Sequence, residues 1–359
     1  MPLKWERVLI ADERYESCGV FDVDGDGVLD IVSGATWYRG PDYIQRYPIG
    51  EIMAVGEYFD DFSTLPMDIN GNGRLDSVTG GWWGDTLRWR ENPGTADEWP
   101  EHIIAHCGNV ETTRMWDIDG DGHPEILPNT PGGPVVAYKL IRDGQGRGTG
   151  AFQAYTLWDQ PQGHGLGYGD LNGNGRGDII LAKGWLEAPE ATWTGEWRHH
   201  ADWDLGMASV PILAVDVTGD GRNELIVGGG HRYGLDWYEL CPRDDGGLDA
   251  ICHPIDPYNS QYHDLIWADL DGDGACELVT GKRYRAHCGN DPGAYDDVGI
   301  YYYKWNGESF SKQVITYGPP RVSTGCGIAF ALADLTGNGL LDLVAPGKDG
   351  LYLFKNLGL

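Results

Sequence analysis

A nine-residue acidic pattern recurs seven times and constrains the fold more than any other feature of this 359-residue chain. The pattern is D-x-[DNT]-G-[DN]-G-x-x-[DE] with apolar segments on both sides, and its copies begin at Asp22, Asp68, Asp117, Asp170, Asp216, Asp269 and Asp334. Successive copies are 46 to 65 residues apart, whereas a four-stranded propeller blade takes about 40–50 residues. The repeat therefore predicts an all-β fold in which residues 1–359 form a single seven-bladed β-propeller domain.

Each copy predicts four short strands. An apolar strand ends at the acidic pattern, as in GLGYGD, and a second follows it, as in DIILAK. An aromatic third strand comes next, as in LDWYEL, and a fourth ends the blade, as in KQVITYG. Alternation and β-branched or aromatic residues are typical of strands. The last copy supplies three strands only, so we expect the N-terminal segment WERVLIA to complete that blade and close the ring.

The acidic pattern itself predicts calcium loops. Oxygen side chains at positions 1, 3 and 5 and a carboxylate at position 9 can surround a hard cation, and glycines at positions 4 and 6 allow a sharp turn. We expect several structural Ca²⁺ ions, bound most tightly by loops one, three and six, which have four acids each. Loops two, four and seven have two acids, and a metal-free turn is the alternative there. The predicted ligands are Asp22, Asp24, Asp26, Asp30, Asp117, Asp119, Asp121, Glu125, Asp216, Asp220, Glu224, Asp269, Asp271, Asp273 and Glu277.

Composition excludes some classes of function. The formal net charge is −29, which disfavours nucleic-acid binding because that needs a basic surface. No apolar run approaches the roughly 18 residues of a membrane span, so we expect no membrane insertion. The N-terminal segment has no signal-peptide core, which fits a cytoplasmic chain or a trimmed secreted or periplasmic one. Of the seven cysteines, Cys241 and Cys252 flank a hairpin turn and could pair, or all seven are reduced. A homodimer is compatible with this composition.

A candidate site emerges when the repeats are aligned. Strand 1 of each blade lines the central channel of a propeller, so the residues six positions before each loop should form a ring at the channel mouth opposite the loops. The residues at these positions are Glu16, Phe62, Glu111, His164, Val210, His263 and Ile328. Two histidines and a carboxylate suit Zn²⁺, Mn²⁺ or a similar ion. We predict one divalent transition metal or Mg²⁺ held by Glu111, His164 and His263, with a single composite site because these positions differ between blades.

Further chemistry-bearing residues are expected near the same mouth. The candidate catalytic residues are His287, His231, Lys183, Lys282 and Tyr168, and the candidate substrate-binding residues are Arg114, Arg283, Tyr233, Trp185 and Trp37. Histidine transfers protons near neutral pH, and lysine or arginine stabilises developing oxyanions. A funnel that combines these groups with aromatic side chains suits a small polyhydroxylated ligand.

Four segments add a resemblance to a known family. The segments GHGLGYGDLNGNG (163–175), AKGWLEAP (182–189), GGHRYGLDWYE (229–239) and TGKRYRAHCGNDPG (280–293) resemble the propeller domain of aldos-2-ulose dehydratases and their bacterial relatives. The acidic loops resemble the FG-GAP or VCBS-type calcium loop, because strands rather than the helices of an EF-hand flank them. The resemblance implies a metal-dependent lyase that removes water from a small sugar or keto-sugar such as 1,5-anhydrofructose or a glycosone. The cupin domains of the fungal enzyme are absent from this sequence.

Three other functions stay open at this point. The first is a lyase with the same funnel that acts on 3-keto-glycosides or uronate-containing saccharides. The second is a calcium-stabilised propeller that binds carbohydrate without catalysis and would not depend on His164. The third is a protein-interaction propeller, which would need a broad apolar or acidic patch.

Overall fold

The computed structural model describes residues 2–359, which are almost entirely strands and turns. The first half of the chain contains β1 (Trp5–Ala11), β2 (Cys18–Phe21), β3 (Asp30–Ser33), β4 (Thr36–Tyr38), β5 (Arg46–Pro48), β6 (Ala54–Val55), β7 (Tyr58–Phe59), β8 (Leu65–Met67), β9 (Asp76–Gly80), β10 (Thr86–Arg90), β11 (Glu101–His106), β12 (Thr112–Trp116), β13 (Glu125–Asn129), β14 (Val135–Arg142) and β15 (Gly148–Trp158). The all-β prediction is confirmed.

The second half has the same character. It contains β16 (Leu166–Gly169), β17 (Asp178–Leu181), β18 (Trp185–Glu187), β19 (Arg198–His200), β20 (Ile212–Val215), β21 (Glu224–Gly228), β22 (Leu235–Pro242), β23 (Leu248–Pro254), β24 (Tyr262–Ala268), β25 (Glu277–Lys282), β26 (Val298–Trp305), β27 (Phe310–Gly318), β28 (Ala331–Ala333), β29 (Asp342–Ala345) and β30 (Leu351–Asn356). A short 3₁₀ turn lies at Ala286–Gly289. Within residues 2–359 no helix is long and apolar enough to cross a membrane.

Apart from β6 and β7, which pair as a separate hairpin, the strands form four-stranded antiparallel units, and each unit holds one acidic loop between its first and second strands. Five units are separate sheets, and two more are joined into an eight-stranded sheet by the parallel pair β16–β20. We number the units 1 to 7 by the order of their acidic loops. The segment WERVLIA is β1, and it pairs antiparallel with β30 to become the fourth strand of unit 7.

Burial follows strand position within each unit. Second strands such as β9 and β21 are buried along their whole length, because units pack face to face on both sides of them. The fourth strands, such as β27, alternate between exposed and half-buried residues. The larger apolar clusters combine residues of neighbouring units, as where Leu127 of unit 3 packs with Ile179 of unit 4. The core is therefore a series of inter-unit layers, which is the architecture that the repeat predicts.

The acidic loops adopt the turn that their glycines predict. The glycines at positions 4 and 6 of all seven loops have φ between 71° and 89°, a region that favours glycine. In loop one, both carboxylate oxygens of Asp22 accept backbone N–H groups from within the loop, and Asp30 at position 9 accepts the N–H of Val23. All seven cysteines are free, and Cys252 lies opposite Tyr238 rather than Cys241.

Candidate functional site

Four buried side chains from four units meet in one cluster. Glu111 directly precedes β12, His164 lies two residues before β16, His263 is the second residue of β24, and His231 follows β21. Each of the four residues is at most 7% exposed, and one ligand atom from each lies within 4.8 Å of the others. We call these residues the histidine cluster. The aligned ring positions brought three of them together, and His231, predicted as a catalytic residue, is the fourth member.

The four side chains of the cluster lie within hydrogen-bonding distance of one another or close to it. Glu111 Oε1 lies 2.9 Å from His263 Nε2, 3.3 Å from His164 Nε2 and 3.9 Å from His231 Nε2. The Nε2 atoms of His164 and His231 lie only 3.0 Å apart. Three imidazole Nε2 atoms and one carboxylate oxygen therefore converge on the same small volume.

The hydrogen bonds on the far side of each ring fix two of the tautomers. His164 Nδ1 lies 2.7 Å from the carbonyl oxygen of Ala208, and His231 Nδ1 lies 2.6 Å from Asp291 Oδ2. Both Nδ1 atoms must donate, because a carbonyl and a carboxylate only accept. In neutral rings both Nε2 atoms then present lone pairs to each other at 3.0 Å, a repulsive contact unless a proton or a metal ion lies between them. Metal-bound histidines typically donate Nδ1–H to such partners.

Electrostatics keeps the cluster in a form that can bind a cation. Burial opposes the charge of Glu111, but His164 and hydrogen bonds from the three histidines hold the pKa of this carboxyl well below its usual range. Burial lowers the pKa of His263 to about 3, so its ring is neutral at pH 7. Burial also opposes protonation of His231, yet its bonds to Asp291 and Glu111 raise its pKa. Without a metal, a shared proton on His231 is the charge that relieves the lone-pair contact.

A further histidine, His287, lies against the cluster. The rings of His231 and His287 stack with centroids 4.2 Å apart, and Asp291 bridges them, with Oδ1 lying 2.7 Å from His287 Nδ1. The His287 side chain is 49% exposed, and burial, followed by the charge of His231, lowers its pKa. His287 and Cys288 have φ of 46° and 54°, which is rare for residues other than glycine. The strained turn thus presents a neutral imidazole beside the cluster.

A cavity opens next to Glu111. Its lining residues are Tyr58, Phe62, Trp82, Trp83, Glu111, Arg283 and His287. The lining combines aromatic side chains with a few polar and charged ones, which is the usual composition of a site for a small polar molecule. Arg283 is buried, with Nε lying 2.9 Å from Glu16 Oε1 and Nη1 lying 3.9 Å from Glu111 Oε1. Lys348 also lies 2.8 Å from Glu16, so this carboxylate fixes two cations beside the cavity.

Arg114 lies elsewhere. Its guanidinium donates to Asp264 Oδ1 at 2.6 Å and to the carbonyl oxygen of Val210, and it lines a different cavity with Trp116 and Tyr168. Glu111, three residues before Arg114, bonds to His263, the residue before Asp264. Arg114 and Asp264 line this second cavity and not the one beside Glu111, so Arg114 does not lie beside the predicted metal ligands as the sequence led us to expect.

Other predicted site residues also have different partners. Lys183 is exposed and its Nζ lies 3.4 Å from Asp204, while Lys282 is buried and donates to the carbonyl oxygen of Gly293. The hydroxyl of Tyr168 donates to the carbonyl oxygen of Asp117, and that of Tyr233 donates to Asp296. Within the described residues, none of these four side chains forms a hydrogen bond or ion pair with the histidine cluster, so the predicted catalytic and substrate-binding residues do not all meet at one place.

The two predicted tryptophans belong to the core. Trp37 is 3% exposed and Trp185 is fully buried. Trp185 stacks on His200 and donates to Asp202, and Trp37 packs against Tyr47. Their positions after the second strand suggested the channel mouth, but both lie in the third strand of a unit, where side chains pack between neighbouring sheets. Neither is available to a substrate.

Several residues of the site were not predicted. Asp291, Lys348, Tyr58 and Trp83 lie outside the aligned repeat positions, and no periodicity singles them out. Asp291 offers the only signal, because it lies four residues after His287 in the segment TGKRYRAHCGNDPG that carries the family resemblance. Glu16 was on the predicted ring but had no assigned role.

The predicted calcium ligands gather unequally. Three carboxylates converge in loop one (Asp22, Asp24 and Asp30), in loop three (Asp117, Asp119 and Glu125) and in loop six (Asp269, Asp271 and Asp273). In the part of the chain described here, Asp216, Asp220 and Glu224 of loop five form no such group. The three loops that do gather acids are those with four acids in sequence.

Comparisons with known proteins support the type of fold. Residues 68–127 match the family of FG-GAP-like repeats, and no curated protein matches the chain significantly. BBS1N, solved in complex with ARL6DN, is 11% identical, with 99% of this chain and 97% of that chain covered and a TM-score of 0.54. At this identity the likeness shows the fold alone. With the repeat match, it indicates a β-propeller type of fold.

Two further solved structures are similar at lower scores. An Agrocybe aegerita lectin, described as recognising non-reducing terminal N-acetylglucosamine, is 18% identical, with 97% of this chain and 90% of the lectin covered and a TM-score of 0.49. The V. cholerae biofilm matrix protein Bap1 is 16% identical with a TM-score of 0.37. That match covers 93% of this chain but only 42% of Bap1.

Proposed function

We propose that the seven units close into a single seven-bladed β-propeller and that the histidine cluster is the metal centre of a carbon–oxygen lyase. The pairing of β1 with β30 supports closure, as does the bridge between Ser17, before unit 1, and Ala329, before unit 7. First strands of neighbouring units also lie side by side, as β2 does with β8 and β28. A closed ring would bring residues from units 3, 4, 5 and 6 to one point on its axis.

One observation carries the proposed metal centre. The Nε2 atoms of His164 and His231 lie 3.0 Å apart while both Nδ1 atoms are engaged, and Glu111 Oε1 lies within 3.9 Å of both. A divalent ion would convert this repulsion into coordination. Three imidazoles and one carboxylate suit Zn²⁺, Mn²⁺ or another transition metal better than Mg²⁺, which prefers oxygen ligands. We therefore propose a transition metal, and not Mg²⁺, at this centre.

The adjoining cavity suggests the class of substrate. Tyr58, Phe62 and Trp83 line it with aromatic rings, and Arg283 and His287 line it with polar groups. Sugar rings are recognised by such a combination, because their C–H faces pack on aromatics while their hydroxyls bond to polar groups. Together with the family resemblance of segment 280–293, this favours a keto-sugar such as 1,5-anhydrofructose or a glycosone.

The residues can be given roles in a β-elimination. A bound divalent ion would polarise the ketone of the substrate and acidify the adjacent C–H group. His287 Nε2 removes that proton, with Asp291 holding Nδ1 in its donor form, and Arg283 stabilises negative charge on the ketone oxygen. As the β carbon–oxygen bond breaks, the imidazolium of His287 returns its proton to the leaving hydroxyl. Water departs, and a carbon–carbon double bond conjugated to the ketone remains.

Two measurements on one set of variants test this proposal. The purified chain is stripped with a chelator, reloaded with Zn²⁺ or Mn²⁺ and dialysed, and its metal content is measured by mass spectrometry. Each chain is expected to retain one ion, which the His164→Ala and His263→Ala variants lose. The matched control is His102→Ala, because His102 is a partly exposed histidine that stacks on Trp89 outside the cluster.

The loaded chain is then screened against keto-sugars for the absorbance of an enone. Enone formation that requires the metal and His287 supports the lyase. Failure of the wild type to retain metal would refute the metal centre. Retention without enone from any keto-sugar would refute the lyase and leave the centre, and binding of unmodified glycans without product would then identify a carbohydrate-binding propeller.

A further inference from the structure

The three acid-rich loops each face a basic side chain on, or directly after, the third strand of their own unit. The register Leu278↔Tyr303 places Lys304 opposite Glu277, the position-9 acid of loop six. In the same way Lys139 of β14 lies opposite Glu125 in loop three, and Arg39, directly after β4, lies opposite Asp30 in loop one. The cross-strand position of the position-9 acid is thus basic in all three units.

These basic groups lie among the carboxylates predicted to bind calcium. Lys139 Nζ lies 2.6 Å from Asp119, 2.8 Å from Asp121 and 2.8 Å from Glu125. Lys304 Nζ makes the same three contacts in loop six, to positions 3, 5 and 9 of the loop, at 2.5, 3.4 and 3.0 Å. In loop one, the Arg39 guanidinium lies 2.7 Å from Asp24 and 2.9 Å from Asp26. Each cation therefore contacts the oxygens that a metal ion would need.

Three of the other four units show the complementary arrangement. The register places Glu91, Glu187 and Glu239 at the equivalent position in units 2, 4 and 5, whose loops have Asn or Thr at position 3. In two of these units the acid accepts a hydrogen bond from the loop, where Asn70 donates to Glu91 at 3.0 Å and Asn172 donates to Glu187 at 3.4 Å. An acid-rich loop thus faces a cation, whereas the loops of units 2, 4 and 5 face an acid. In unit 7, whose loop has Thr336 at position 3, the equivalent residue is Lys355.

Loops one, three and six do not fit calcium as they stand. Calcium takes six to eight oxygen ligands, and in these loops the carboxylates at positions 3, 5 and 9 would have to supply several of them. The carboxylates at positions 3 and 5 are held by the strand cation, and a divalent ion beside an ammonium group would be repelled. We infer that Arg39, Lys139 and Lys304 take the place of the calcium ion in these loops, so that the chain carries its own structural cations there.

One atom in each loop shows what removal of the cation would leave. The Oδ1 atoms of Asp24, Asp119 and Asp271 are buried and accept no hydrogen bond from any residue in the described range. With the strand cation gone, this oxygen and those released by the cation would form a vacant anionic site at positions 3, 5 and 9. Removal of the lysine should therefore create a calcium site where the wild type has none.

Calcium titration calorimetry on the full chain, after chelation and dialysis, tests the inference. Lys139→Met and Lys304→Met are each expected to bind one more calcium ion than the wild type, and the double variant two more. The matched control is Lys355→Met, because Lys355 is equivalent in unit 7 but lies 3.5 Å from Glu6 rather than among loop carboxylates. An unchanged stoichiometry in both single variants would overturn the inference.

A second measurement does not depend on the folding of the lysine variants. If the wild-type loops bind calcium, Asp119→Asn or Asp271→Asn should each reduce the number of ions bound by the otherwise wild-type chain. We expect both substitutions to leave this number unchanged. A loss of one ion in either variant would show that calcium displaces the lysine, and the inference would fail.

Discussion

The histidine cluster and the acidic loops solve the same electrostatic problem in opposite ways. Both bury carboxylates, at Glu111 in the cluster and at Glu125 or Glu277 in the loops. In the loops a lysine on the neighbouring third strand supplies the balancing charge. In the cluster the nearest nitrogens are imidazole Nε2 atoms that face one another. A count of acidic ligands therefore does not identify a metal site unless the facing side chains are counted as well.

The difference has a structural origin. Each loop and its cation belong to one unit, so a single strand register fixes their contact. The histidine cluster draws on four units, and only the packing of those units brings its members together. Residues that meet in this way are held by partners of their own, such as Ala208 for His164 and Asp291 for His231. This support indicates a preorganised site.

Of the changes considered, replacing His164 by Ala should have the largest effect on metal content and activity. If it had none, the contrast between the histidine cluster and the loops would fail. The variant loses one of three imidazoles and leaves Glu111 with fewer donors, so metal content and enone formation should fall together by more than the roughly 10- to 100-fold typical of outer-shell partners. Circular dichroism and thermal unfolding should remain near those of the wild type, because His164 adds little apolar packing. An active, metal-loaded His164→Ala would refute the assignment.

The pH dependence of activity should identify His287 as the base. Its pKa is lowered by burial and by His231, so kcat/KM should fall only as pH drops through a value below the usual 6.5 or so of histidine. His287→Gln should lower kcat by roughly 10²- to 10⁴-fold and remove this acidic limb. Metal content is measured at every pH to exclude loss of the ion. A retained limb in the variant would assign it to another group.

Asp291→Asn should have a smaller effect at the same site. The change weakens the acceptor of His231 Nδ1–H and of His287 Nδ1–H, and outer-shell changes of this kind cost about 10- to 100-fold in metal affinity or activity. Asp296→Asn is the control on the same segment, because Asp296 accepts from Tyr233 and not from a cluster histidine. Equal losses in the two variants would mean that Asp291 supports only the local turn.

Repeat alignment could predict much of this molecule. The seven acidic loops and the alternating segments predicted the all-β class and its four-stranded units, because the alternation of apolar and polar residues within each segment is enough to indicate a strand. One shared phase also selected Glu111, His164 and His263, because equivalent positions in stacked units lie at equivalent depths. His231 and His287 were recognised as chemistry-bearing, but their stacking depends on a strained turn that no periodicity reveals.

The failures share a physical cause. Trp37, Trp185, Lys183 and Lys282 were expected at the channel mouth because they lie at or just after the end of a predicted second strand, yet the connections between second and third strands differ in length from unit to unit. The direction of a side chain there is set by packing between neighbouring sheets. The cations facing the loops were missed because the spacing from position 9 to its cross-strand partner also varies, from 9 residues for Arg39 to 27 for Lys304. Only the observed register relates them.

The smallest predicted effect concerns stability without calcium. Lys304→Met keeps most of the apolar stem but leaves the buried Glu277 and the partly buried Asp271 without a counter-charge. Removal of one partner from a buried ion pair costs about 3–5 kcal/mol, and partial exposure of Lys304 should reduce this to about 2 kcal/mol in the free energy of unfolding. Lys355→Met should cost less than about 1 kcal/mol, as expected of an exposed pair.

Urea unfolding with chelator present measures both free energies of unfolding, and added calcium should restore stability to Lys304→Met alone. Equal losses in the two variants would mean that loop six needs no cation, and the contrast between the loops and the histidine cluster would then rest on the cluster alone.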